Sequence, residues 1–135
     1  MRVCVSLNTF PFCLQEVYTC ISQRASGERE MICGSVSGKL SIWDPDLDDP
    51  VGEAQDPSGQ RINCIACSPS GNYAATCGVD QQVKVWDVSE EGQCKLIGEG
   101  QGHSSSVSSV AWSPDEKQIV SVGDDCCICV WNFYA

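Results

Sequence analysis

At 135 residues, 42% of them apolar and 19% charged, the chain is long enough to fill one ordinary core and short for two domains. Eighteen acidic against eight basic residues leave a formal charge of −10, which argues against nucleic acid or an anionic membrane as the main partner and favours a basic protein surface. No apolar run approaches the roughly twenty residues that span a bilayer, and MRVCVSLNTFPFCLQ offers no convincing cleavage site; the eleven cysteines are therefore expected to be reduced thiols of a soluble, intracellular chain.

In chain order, residues 2–7 read as a strand and residues 8–15, with Pro11, as a connection. Glu16 to Ser22 alternates in character, and Met31 to Ser35 and Lys39 to Asp44 follow as short strands. Residues 44–59 hold three prolines and six carboxylates and predict a loop throughout. Arg61 to Cys67, Tyr73 to Cys77 and Gln82 to Val88 form a second set of strands, with a fourth at Cys94 to Ile97. The Gly-rich residues 98–102 predict a flexible turn, and Gly102 to Trp131 predicts three further strands. No helix of useful length is predicted.

These segments repeat. Trp43, Trp86 and Trp131 lie 43 and 45 residues apart, each followed by Asp or Asn and each preceded by a glycine eight or nine residues upstream (Gly34, Gly78, Gly123). Ser68-Pro69 recurs 45 residues later as Ser113-Pro114. Four short antiparallel strands in about 40 to 45 residues is the period of a propeller blade, whose sheet buries its faces only against neighbouring blades.

The Gly-His pair at 102–103, Trp-Asp at 43–44 and 86–87, and Trp-Asn at 131–132 resemble the WD-repeat β-propeller family over residues 16–134. The resemblance implies an all-β fold of about three four-stranded blades in an incomplete ring. Its units would be a strand of a preceding blade with its connection (1–15), a degenerate repeat (16–59), a second repeat (60–101) and a terminal repeat (102–135). It also implies a buried bracing network, which the third copy matches with His103, Ser121, Asp125 and Trp131. The second copy keeps Thr76, Asp80 and Trp86 but aligns Ser58 with the histidine; the first keeps Trp43 but has Cys33 and Ser37 where hydroxyl and carboxylate belong. Propellers close with typically four to eight blades. Further blades are therefore expected from additional sequence or from another chain.

Other chemistry is disfavoured by spacing. Cys64 and Cys67 fall on opposite faces of one strand, and Cys127 and Cys129, beside Cys126, share a face expected to be blade interior, so packing is preferred to zinc binding. His103 is the one histidine, and its repeat position explains it without a hydrolytic triad of Ser104, Ser105 and Asp125. Residues 98–102 lack the Lys-Ser/Thr of a phosphate loop, and the carboxylates of 44–56 follow no calcium-loop spacing. No catalytic residue, cofactor or metal is expected.

The C-terminal sixty residues are similar to the end of a ciliary and flagellar WD-repeat family associated with axonemal doublet microtubules. That resemblance implies a non-enzymatic scaffold with tubulin and axonemal proteins as partners, located in the cytoplasm or in a cilium or flagellum. The alternative is an adaptor in a cytosolic regulatory complex, such as a ubiquitin ligase receptor or a signalling scaffold.

Overall fold

A computed structural model of the chain describes residues 16–24 and 30–134, which form eleven strands and no helix. The first sheet contains β1 (Tyr18–Gln23), β2 (Met31–Ser35), β3 (Lys39–Trp43) and β4 (Gly52–Gln55). The second contains β5 (Ile62–Cys67), β6 (Tyr73–Gly78), β7 (Gln82–Asp87) and β8 (Lys95–Gln101). The third contains β9 (Val107–Trp112), β10 (Gln118–Gly123) and β11 (Ile128–Asn132). Every sheet is an antiparallel meander in sequence order, and among the described residues the three do not close a ring. The expected strand at residues 2–7 lies outside the described residues.

Period-two alternation explains the packing. Along β6, Ala74 faces the first sheet and Ala75 the third; along β7, Trp86 and Val85 divide in the same way. One apolar cluster joins Ile32, Leu40 and Ile42 to Ile62, Ile65, Ala74 and Trp86, and a second joins Ala75, Cys77, Val83 and Val85 to Val107, Val110 and Ile119. The second sheet is therefore covered on both faces, which is why β6 and β7 are buried almost end to end. Each fully buried Ile or Val is worth about 1.5 to 3 kcal/mol relative to exposure. The outer faces of the first and third sheets leave Ile21, Ile128 and Val130 at 60%, 73% and 58% exposure.

The first strand of each sheet skips one residue in its pairing: Thr19 in β1, Asn63 in β5 and Ser108 in β9. A bulge re-aims the side chain it carries, and two of these reach the next sheet. Thr19 donates to the Ile62 carbonyl, and the Asn63 amide donates to the Val107 carbonyl at 2.9 Å and to Ser106 Oγ at 3.0 Å. The Trp112 indole returns a bond to the Ala66 carbonyl at 2.9 Å.

Two expected connections are strands instead. Within the predicted 44–59 loop, Gly52 to Gln55 pairs with Ile42 to Lys39 as β4, although Gly, Glu and Gln are weak strand formers. The free edge of β3 and the Lys39–Glu53 ion pair at 3.0 Å recruit it, so tertiary pairing overrides local preference. Likewise β8 runs through Gly98 and Gly100 to Gln101, where a flexible turn was expected. A Cβ on Gly100 would stand 2.7 Å from the Trp131 ring, so glycine here admits the third blade's indole against the strand.

Candidate functional site

The polar side chains gather at equivalent places in the three sheets, where the loop before the first strand meets the turn between the second and third. In the third sheet, His103 from that loop is fully buried at its side chain and places Nδ1 3.0 and 3.1 Å from the Asp125 carboxylate oxygens. Nε2 stands 2.7 Å from Ser121 Oγ, which also accepts the Trp131 indole N–H at 2.8 Å. A carboxylate only accepts, so Nδ1 carries the proton to Asp125. Ser121 then donates its hydroxyl proton to Nε2 and accepts from Trp131. Each polar side-chain atom of this four-residue network is partnered.

Asp125 also accepts the backbone N–H of Ser104 at 3.0 Å and of Cys127 at 3.1 Å. The Ser104 amide above all, then the Cys127 amide and the imidazole, outweigh desolvation and hold this carboxyl below its ordinary range. A Cβ on Gly123 would lie 2.9 Å from His103 Nδ1, so glycine leaves room for the imidazole and carboxylate to meet.

The second sheet solves the same problem with charge. The Trp86 indole donates to Thr76 Oγ1 at 2.9 Å, as Trp131 does to Ser121, and Asp80 accepts the Gln82 N–H at 3.2 Å as Asp125 accepts that of Cys127. Ser58, aligned with the histidine, is exposed; the partner from the preceding loop is Asp56, 4% exposed. Between the carboxylates lies Lys84 Nζ, 2.7 Å from Asp56 and also bonded to Asp80, with its side chain only 2% exposed. Burial works against the ammonium, but its bonds to Asp56 and Asp80 prevail and hold its pKa above the ordinary lysine value.

The first sheet is different again. Trp43 stands edge-on to Tyr18, with centroids 6.4 Å apart, and enters no indole–hydroxyl bond among the described residues; Cys33 occupies the position of Thr76 and Ser121. At the turn, Ser37 lies between the Glu16 carboxylate, to which it donates, and Ser35 Oγ at 3.2 Å. The Tyr18 hydroxyl is 3.4 Å from Ser41 Oγ.

Lys84, Asp56 and Glu16 were not singled out by the sequence reading. Lys84 left a signal there: it shares the inward face of β7 with Trp86, and a charge on a core face requires a partner. Arg24 and Glu30 left none. Arg24 pairs with Glu30 at 2.7 Å and donates to the carbonyls of Gly71 at 2.7 Å and Ser89 at 3.4 Å, tying the first sheet to the turns of the second.

Among the described residues no group of His, Cys, Asp or Glu is placed to hold a metal ion. Cys64 belongs to the second apolar cluster and Cys67 packs on the first, on opposite faces of β5. The expectation that Cys127 and Cys129 lie in a blade interior is corrected at Cys127: Cys126 and Cys127 are exposed in the turn before β11, ahead of the paired residues, while Cys129 within β11 is half-buried. No described helix is long and apolar enough to cross a membrane.

Comparison with known proteins agrees with this repeat geometry. The chain is 30% identical over 110 residues to the ribosome biogenesis protein WDR12 homolog of Chlamydomonas reinhardtii, covering 76% of this chain and 24% of that protein. It is 31% identical over 71 residues to WD repeat-containing protein 1 of Gallus gallus, covering 53% and 12%. It is 26% identical over 106 residues to cilia- and flagella-associated protein 52 of Chlamydomonas reinhardtii, covering 78% and 17%. The chain thus spans a quarter or less of the length of these relatives. The family described as WD domain, G-beta repeat matches residues 50–87 and 94–132, and the chain belongs to that family, as an incomplete WD-repeat β-propeller.

Proposed function

We propose that this chain is a non-catalytic scaffold segment of a ciliary or flagellar assembly, with tubulin and axonemal proteins as its partners. The observation that carries the non-catalytic part is the closure of the His103 network. Both imidazole nitrogens, the Ser121 hydroxyl and the Asp125 carboxylate are bonded to one another, to the Trp131 indole or to backbone, so none of these groups is left free to act as a base or nucleophile. Rigid blades with acidic loops then act through their surface. The ciliary assignment is supported by the similarity to cilia- and flagella-associated protein 52 and rests on that likeness alone.

The outer faces that expose Ile21 on one side and Ile128 and Val130 on the other are completed by further blades, from additional sequence or another chain. Proximity labelling from the tagged chain in ciliated cells tests the assignment. Axonemal proteins and tubulin are the expected products; recovery of ribosome-assembly or ubiquitin-ligase components without them overturns it. Size-exclusion chromatography tests completion, and a well-behaved folded monomer of this chain alone would refute it.

A further inference from the structure

Cys64 in β5 and Cys77 in β6 are directly opposed residues of an antiparallel pair. Opposed residues lie about 4.5 to 5.5 Å apart at Cα, within the span of about 4.4 to 6.8 Å that a disulfide bridges. Both side chains point to the same face and join the same apolar cluster, beneath Val107 and Val110 of the third sheet. The bulge at Asn63 directly precedes Cys64, adding local twist where the two side chains meet.

The surroundings divide the pair into unequal partners. Cys77 is 3% exposed, whereas Cys64 is half-buried, with its sulfur 3.8 Å from Ser109 Oγ. Cys77, lying opposite in the strand pair, lowers the Cys64 pKa, while Cys64 and burial raise that of Cys77. Elsewhere burial pushes the thiols up, Cys33 to about 11 and Cys94 to about 12. Cys64 is therefore the thiolate-prone member of a pre-aligned pair, and its more exposed position makes it the one a small oxidant reaches.

We propose that Cys64 and Cys77 are a peroxide-modification site, Cys64 as the attacked thiol and Cys77 as the resolving thiol. The Cys64 thiolate attacks one peroxide oxygen and the O–O bond breaks, giving Cys64 sulfenic acid and hydroxide, which is protonated to water; sulfur is oxidised and peroxide reduced. The Cys77 sulfur then attacks the Cys64 sulfur, the S–O bond breaks, and the departing hydroxide takes the Cys77 proton as water. The product is a disulfide stapling β5 to β6 on the face that carries the third sheet, and a thiol reductant reverses it.

The test treats the reduced chain with hydrogen peroxide, alkylates the remaining thiols and digests with chymotrypsin, which cleaves after Tyr73 between the two cysteines. Mass spectrometry is expected to show a linked peptide pair holding Cys64 and Cys77, with Cys67 alkylated, that disappears with dithiothreitol. Cys64→Ser should abolish the link and leave Cys77 alkylatable after unfolding. Cys77→Ala should leave Cys64 as a sulfenic acid that a dimedone probe traps. Cys64→Ser alters the half-buried partner, so the first comparison survives if the Cys77 variant fails to fold. Peroxide that consumes only Cys126 and Cys127, or links Cys64 to Cys20 or Cys67, overturns the proposal.

Discussion

The second and third blades hold the same turn with different chemistry. In the third, a histidine relays between Asp125, Ser121 and Trp131; in the second, Lys84 bridges Asp56 and Asp80 while Thr76 and Trp86 keep their own bond. Lys84 is paired in register with Thr76 as Cys129 is with Ser121, so the charge enters from the neighbouring strand instead of the preceding loop. Each turn places a nitrogen side chain between two buried oxygens; whether an imidazole or an ammonium supplies it is secondary. The energetic consequence differs, since removing Lys84 leaves two buried carboxylates without their cation, while removing His103 leaves Asp125 its two backbone donors and strands the Ser121 hydroxyl.

The sharpest way to break the comparison is Lys84→Met, which leaves Asp56 and Asp80 facing each other without a cation. A loss of about 3 to 5 kcal/mol in urea unfolding is expected. A loss below about 1 kcal/mol would mean that the carboxylates find water and that the blade does not depend on the ion triad. His103→Ala should cost less, about 1 to 3 kcal/mol, by stranding the Ser121 hydroxyl and removing one of three donors to Asp125. Equal losses for the two variants would erase the distinction between the blades.

The smallest effect is in pH dependence. Asp125 has a folded pKa below its ordinary value, so its contribution is complete above about pH 4 and is lost as pH falls through the folded pKa. Lys84 has a folded pKa above its ordinary value, so its contribution is complete below about pH 10 and is lost as pH rises through the folded pKa. Melting temperature against pH should therefore lose acid sensitivity in Asp125→Asn and alkaline sensitivity in Lys84→Met. An unchanged acid limb in Asp125→Asn would show that the carboxylate's charge contributes little.

The first blade shows where sequence reading stops. Its tryptophan, glycine and strand pattern were legible, and the period of the three tryptophans placed it correctly beside its neighbours. Gly52 to Gln55 was not legible as a strand, because nothing local favours it; the open edge of β3 does. Asp56 was passed over for the better-aligned Ser58, since alignment counts positions and only the folded loop shows which side chain turns inward. Cys127 was assigned to a blade interior with Cys129, yet the turn extends one residue further than the pattern suggests and leaves Cys127 ahead of the paired strand.

The all-β class and the repeat were determined by the sequence itself, through strand alternation, glycine turns and the recurring Trp, and the family resemblance named the members of the third blade's hydrogen-bond chain. Tertiary structure alone decided the Lys84 triad, the Arg24 tie and the opposition of Cys64 to Cys77. These depend on register and on contacts between segments distant in sequence, and a bulge of one residue moves every later side chain to its partner or away from it.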